Sequence, residues 1–463
     1  MTQKPTAPFV AGSVWRHLVG LAVASSLGLF STFAVDLLDI YYIGLLGDDR
    51  LTAAVGFGST IAYYGISVGV ALGITISVLV SRQLGRDDMA RVRDLFSSTW
   101  FFGFSLMICV SVLLILLAPL WVWLLQARGE TADLATTYLQ IIAIGVPGRA
   151  LVMWGIFSMR LQGKVRLGLY ATLSVTALNA ILDPIFIFGF GWGIVGAALA
   201  TAISTFVGGC VLFWWVAKRS GWLTIPRLQD IRRNLGDILR FYLPALLTNL
   251  STPIGTGVVL AVMAARYDDS AEAATSVILK MTPLLFGFLL SLSGSVGPVV
   301  GQNFGAERYD RVRRALWRSI QIVTVYTLPV GLVLFVSQGL LVTVFGLSGE
   351  GAAVFRFFAT YLVFTNGLAG FIFVSNAIFN NLGYPGVSTA ANLLRDGVLM
   401  LPLTLLGAFW LGAPGVLFGQ QLATVLVAMA ALSFAWALTG RLEQGKAMPK
   451  KIIRVPFVGR NRG

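Results

Sequence analysis

A chain of 463 residues that is 57% hydrophobic and only 12% charged, with a mean hydropathy of +0.82, carries more apolar surface than a soluble core can hide. That excludes an ordinary soluble enzyme, and the net charge of +14 needs a source other than nucleic-acid binding. The only two cysteines, Cys109 and Cys210, fall in apolar stretches, so no disulfide framework is indicated.

In chain order, twelve apolar runs are long enough to cross a hydrocarbon core of about 30 Å. They cover residues 18–46, 51–80, 95–125, 135–159, 167–189, 193–217, 241–265, 272–301, 316–345, 352–379, 386–410 and 414–439. The fold class is therefore an all-α integral membrane protein. Several runs are long enough to require tilt or protruding ends, and Pro147, Pro184, Pro244, Pro253, Pro283, Pro298 and Pro402 are candidate kinks. Trp121, Trp123, Trp192 and Trp410 sit near outer span ends, as interfacial anchors do. Gly65, Gly69 and Gly73 recur every four residues on the second run, a stripe that favours close helix packing.

Of the 34 Lys and Arg residues, 27 fall in the tails and loops that lie on one side if the N-terminus is cytoplasmic. The opposite loops hold Arg50, Arg128, Arg266 and Arg356, which predicts both termini in the cytoplasm. The same distribution accounts for the net charge. The basic stretch from Lys446 onward is suited to anionic headgroups, so membrane lipids are expected partners. No cleavable leader is predicted, because the apolar segment after Lys4 and Arg16 is too long.

The chain repeats itself. VSRQLGRDDMARVRDL from Val80 matches VGQNFGAERYDRVRRA from Val300 at Gly85/Gly305, Arg91/Arg311 and Arg93/Arg313, an offset of 220. The same offset pairs Asp48 and Asp49 with Asp268 and Asp269, and Gly163 with Gly383. Two six-helix lobes in the same orientation follow, residues 1–217 and 241–440, joined by a polar cytoplasmic segment 218–240 and followed by a basic tail 441–463. Such repeats place transport sites near mid-membrane.

Three carboxylates stand in the first lobe's apolar runs: Asp36, Asp39 and Asp183. Ionisable groups in a membrane are costly and mark ion or proton pathways by default. Adding 220 lands on Thr256, Val259 and Leu403, so the fold itself does not require acids there. Asp39 and Asp183 both lie about 10 Å from the outer ends of their spans. Asp36 and Asp39 share one helix face, as do Asn179 and Asp183, so a facing cluster is feasible. Burial and mutual repulsion favour taking up a proton. Asp39 is the first candidate carrier, Asp183 the second and Asp36 the third, with Asn179 as hydrogen-bond donor; His17, the sole histidine, is placed away from them. Pro184 frees the carbonyl of Ala180 and lets its helix bend.

Other intramembrane charges are Arg149, able to neutralise an acid or to bridge to a loop, Lys280, able to snorkel or to face a cavity, and the neighbours Arg395 and Asp396, expected to point apart and seek separate partners. Tyr41, Tyr64, Met153, Met263, Met281, Phe364 and Phe371 are candidates for an adaptable apolar cavity.

Asp39-Ile-Tyr-Tyr-Ile-Gly, Leu51-Thr-Ala-Ala-Val-Gly56, Asn179-x-x-x-Asp183-Pro184, Gly193-x-x-Gly196-Ala-Ala and Gly301-Gln-Asn-Phe-Gly305-Ala306, in this order, resemble the multidrug and toxic compound extrusion (MATE) transporters over about residues 15–440. Within that family the chain looks most like the DinF-type branch, in which an aspartate on the first helix and an Asn/Asp pair on the fifth form an acidic cluster. Asp39, Asn179 and Asp183 match those positions. The branches with a Glu on helix seven and an Asp on helix ten are not matched: 241–265 contains no acid and Asn366 is the polar group of the tenth run, which weakens the case for sodium coupling. The resemblance implies a monomeric inner-membrane antiporter, not an enzyme, that exports lipophilic, often cationic small molecules against protons, with sodium as the alternative ion. It further implies that protonation of Asp39 bends the first span and shrinks the first-lobe cavity. No metal or organic cofactor is expected.

The competing reading is a flippase for lipid-linked precursors, which needs a cationic cavity; four intramembrane acids against three bases argue against it. An intramembrane aspartyl protease lacks its Gly-x-Gly-Asp element, no selectivity filter is visible, and no Gly-x-x-x-x-Gly-Lys-Ser/Thr loop is present for ATP.

Overall fold

The computed structural model describes residues 7–449. Twelve membrane-length helices follow in order: α1 Val14–Gly44, α2 Asp49–Gly85, α3 Met89–Leu116, α4 Gly129–Leu161, α5 Val165–Gly189, α6 Gly193–Arg219, α7 Leu228–Arg266, α8 Asp269–Gly305, α9 Tyr309–Val344, α10 Gly349–Leu382, α11 Pro385–Leu411 and α12 Ala413–Glu443. No strand occurs among the described residues. Each run read from hydropathy becomes one membrane-length helix, except that a turn at Gly367 and Leu368 interrupts α10 and the third run is divided. The third run breaks after Leu116, and Ala118–Leu124 forms a separate short helix with Pro119 in its first turn. Both pieces are apolar, so hydropathy merged them, whereas proline supplies no amide hydrogen to continue the α3 ladder. Trp121 and Trp123 stand exposed on this short helix.

Only residues 220–227 of the polar segment 218–240 lie outside helix, because α6 runs to Arg219 and α7 begins at Leu228. Its polar side chains are committed to a network. Arg91 donates to Asp94 at 2.5 Å and to Asn234 at 2.7 Å, and reaches Asp237 at 3.1 Å. Asn234 in turn donates to Asp94 and to Ser98, both at 2.9 Å. Hydropathy detects only the part of a helix that lipid surrounds, and a helix continues past the lipid wherever such contacts satisfy its polar residues.

Two compact units result, Ala24–Leu246 and a second made of Phe9–Val23 with residues 247–449. The chain thus changes unit inside α1 and again inside α7, a few residues past the sequence-based boundary. Within the first unit α4 packs against both α2 and α6. Glycines permit the second contact: a Cβ on Gly148 would meet the Phe206 backbone at 2.6 Å, and one on Gly145 would meet Ala202 Cα at 2.8 Å. On α2, Gly73 is equally tight against Phe157, at 2.7 Å, while Gly69 has ordinary contacts and accepts a hydrogen bond from Trp154 Nε1 at 2.9 Å.

The 220-residue repeat recurs in the backbone. Asp48 caps α2 by accepting from the Arg50 amide, and Asp268 caps α8 by accepting from the Ala271 amide. Hydrogen bonds from the Arg50 side chain and amide also hold the Asp48 carboxyl below its ordinary pKa range. Left-handed residues pair at the same offset: Asp87 with Glu307 at φ 59° and 57°, and Gln126 with Gly346, both at 62°.

The repeated arginines do equivalent work in each unit. As Arg91 holds the start of α7, Arg311 holds the segment preceding α1: it donates to the carbonyls of Phe9 at 2.9 Å, Ala11 at 3.2 Å and Gly12 at 2.9 Å, and to Asn303 Oδ1 at 2.8 Å. Arg93 bonds the Gly221 carbonyl after α6, and Arg313 pairs with Glu443 at the end of α12 while covering Trp436 at 4.4 Å. Arg311→Met is expected to lower unfolding free energy by about 3 kcal/mol, because several buried acceptors lose their donor at once. Thermal unfolding of the detergent-solubilised chain measures it, and an unchanged midpoint would contradict this role.

Candidate functional site

Asp36 and Asp39 come from α1, Asn179 and Asp183 from α5. The α5 backbone is α-helical through Pro184 and then widens into a π-helical turn, Ile185–Gly189. Proline cannot return a hydrogen bond to Ala180, and the wider turn re-registers the ladder beyond it. Of the other predicted proline kinks, the α-helix runs on unbroken through Pro147, Pro244, Pro253, Pro283 and Pro298, whereas Pro402 follows a second π-helical turn, Leu394–Leu399.

Asp183 is fully buried and Asn179 nearly so, and Asn179 Nδ2 donates to Asp183 Oδ1 at 3.2 Å. The Asp39 side chain lies against Asp183. Asp39 Oδ1 and Asp183 Oδ2 are both shielded from solvent and lack a hydrogen-bond partner. Two ionised carboxylates offer only acceptors, so the arrangement has room in its hydrogen bonding for a proton or a small cation. Asp36 is more open, with 52% of its side chain exposed, and meets Arg149 at 3.9 Å.

One residue escaped the sequence reading. Tyr138 on α4 is 5% exposed, lies beside Ser59, and falls within the electrostatic reach of Asp39, Asp36 and Arg149. Its signal was available: it precedes Arg149 by eleven residues, about three helical turns, and so shares its face.

In the second unit the expectation for Arg395 and Asp396 is corrected. The adjacent residues pair with each other, Nε to Oδ1 at 2.7 Å and a terminal nitrogen to Oδ2 at 2.8 Å. Both stand in a π-helical turn, Leu394–Leu399, and Ser251 donates to Asp396 Oδ2 at 3.1 Å. Consecutive side chains diverge at Cβ, but the arginine stem is long enough to fold back where apolar surroundings offer no other acid. Lys280 is exposed and forms no ion pair among the described residues.

The cavity candidates divide. Tyr41 and Tyr64 are exposed, Met281 is half-buried, and Met153 borders a narrow void beside Arg149. Met263 and Phe371 are instead core residues, and the Phe364 ring fills the space over Gly331. Aromatic and Met residues fill a membrane protein's core as readily as its cavity, so composition did not separate them. Asn366 accepts from Gln421 Nε2 at 2.9 Å.

The MatE family model matches residues 24–185 and again 244–406. The chain is 26% identical over 437 residues to a Shewanella oneidensis protein named FAD transporter, covering 91% of this chain and 94% of that one. It is also 26% identical to the multidrug export protein MepA of Staphylococcus saprophyticus, covering 95% and 97%. The solved structure of the Vibrio cholerae MATE transporter VcmN in its bent form superposes with a TM-score of 0.85 at 26% identity, over 93% of this chain and 97% of that one. Matched in both halves by one model, on a twelve-helix all-α fold, the chain belongs to the MATE family of membrane transporters.

Proposed function

We propose that this protein is a secondary antiporter exporting lipophilic, often cationic compounds in exchange for protons by alternating access, with Asp39 and Asp183 as the proton-binding pair. The observation that supports this reading is the solvent-shielded, orphaned oxygen on each of two facing carboxylates. Leaving both ionised without a partner is costly inside a membrane, and one shared proton converts the repulsion into a hydrogen bond. Asn179 holds Asp183 in place for that exchange. Relatives named for multidrug export favour breadth of substrate. The chain acts as a monomer in the bacterial inner membrane, in contact with its lipids, both termini cytoplasmic.

The test is drug-stimulated proton movement in sealed vesicles carrying the purified protein, wild type beside Asp39→Asn, with and without sodium. A lipophilic cation should collapse an imposed pH gradient only in the wild type and independently of sodium. A sodium requirement would move the coupling ion to sodium. Equal activity in the variant would make the acid pair structural, and no response to any cation would favour the flippase.

A further inference from the structure

The last turn of α6 gathers exposed cations. Lys218 and Arg219 end the helix. Lys164, from the turn between α4 and α5, is held beside them: its Nζ lies 5.1 Å from the ring centre of Trp215, one helical turn before Lys218 and Arg219, and donates to Gln162 Oε1 at 3.0 Å. Arg93 on α3 is tied to the same end, its Nε donating to the Gly221 carbonyl at 3.0 Å. None of these four cations has an ion-pair partner among the described residues, and Asp94, beside Arg93 in sequence, is already held by Arg91 and Arg233 at 2.5 and 2.8 Å.

The repeat shows that the fold does not need them. At the 220-residue offset Lys164, Lys218 and Arg219 correspond to Tyr384, Leu438 and Thr439, and Arg313, the counterpart of Arg93, is paired with Glu443 at 3.3 Å. The approach to these cations along α6 is equally specific. Val207, Val211 and Trp214 are exposed and lead to Lys218 at spacings of four, three and four, so they form one column on one helix face with Lys218 at its end. An exposed apolar column on a membrane-spanning helix faces hydrocarbon. Lys218 is the first residue past the apolar run, which puts it at headgroup depth, with Trp214 one turn deeper as interfacial tryptophans are.

We infer that the end of α6 is a binding site for an anionic phospholipid, with an acyl chain along Val207, Val211 and Trp214 and the headgroup phosphate among the cations around Lys218. Soluble phosphate would satisfy the cations and gain nothing from the column. A zwitterionic phospholipid would use the column but bring its own cation to a site already rich in them. A lipid with net negative charge uses both features. The inference names one lipid class and one place on the molecule, and it depends on neither the coupling ion nor the cargo.

Native mass spectrometry of the purified, detergent-solubilised full chain, titrated with phosphatidylglycerol or phosphatidylcholine, measures bound lipid and its affinity. The wild type should prefer phosphatidylglycerol by about tenfold, and excess inorganic phosphate should not displace it. Lys218→Gln combined with Arg219→Gln should weaken phosphatidylglycerol about tenfold and leave phosphatidylcholine unchanged. Trp214→Ser keeps every charge and should weaken both lipids about fivefold, which maintains the test if the charge variant does not fold. Arg128→Gln combined with Arg266→Gln removes the same charge from the opposite loops and should change nothing. The inference is overturned if the Lys218/Arg219 variant or Trp214→Ser binds phosphatidylglycerol as the wild type does, or if the Arg128/Arg266 variant loses as much. Displacement of the lipid by inorganic phosphate would also overturn it, because the site would then belong to the free ion.

Discussion

Asp39→Asn, Asp183→Asn and the double variant are expected to lose proton-coupled transport to the same extent, about 100-fold or more each, because groups that act as a unit give non-additive losses. The reason is geometric. Each carboxylate contributes one shielded, unpartnered oxygen, and Asp183 is held from its other side by Asn179. With either acid replaced by an amide, the remaining carboxylate gains a permanent N–H donor and no longer needs the proton. The amides preserve shape, so thermal unfolding should change little. The rate of pH-gradient collapse by a lipophilic cation measures the effect. Losses that multiply in the double variant, or a single variant retaining half the rate, would show that the two acids act independently.

The largest effect on stability is expected at Asp396→Leu, which strands the Arg395 guanidinium in a site where its side chain is only 9% exposed. Removing one partner of a buried pair costs about 3–5 kcal/mol. Ser251 would lose its acceptor as well, and a Cβ on the facing Gly255 would stand only 2.8 Å from Asp396 Oδ1, so the site has little room to relax. Arg395→Met combined with Asp396→Leu should recover most of the loss, because the double variant buries no unpaired charge. Unfolding midpoints in detergent decide the matter. Equal destabilisation in single and double variants would place the cost in packing.

Much of this molecule follows from the sequence by itself. Twelve apolar runs of membrane length, the Lys and Arg asymmetry and the 220-residue repeat require no knowledge of which helix touches which. Apolar length decides whether a helix enters lipid, and that property sums along the chain. The repeat is legible because the same caps and left-handed turns, Asp48 with Asp268 and Asp87 with Glu307, recur at fixed spacing. The acids stood out for a similar reason, since a carboxylate in an apolar run is conspicuous whatever surrounds it.

Pairing was decided only in three dimensions. That Asp39 rather than Asp36 meets Asp183, that Tyr138 joins them, that Arg149 stays open while Arg395 folds back onto Asp396, and that Met263 and Phe371 are core all depend on helix rotation, on the π-helical turn after Pro184, and on glycine-mediated approach such as that of Gly148 to Phe206. Likewise polar residues 228–240 became the first turns of α7 because Arg91, Asp94 and Asn234 satisfy one another there. Those outcomes turn on shifts of one or two ångströms between helices distant in sequence, while a hydropathy pattern records only which residues tolerate lipid.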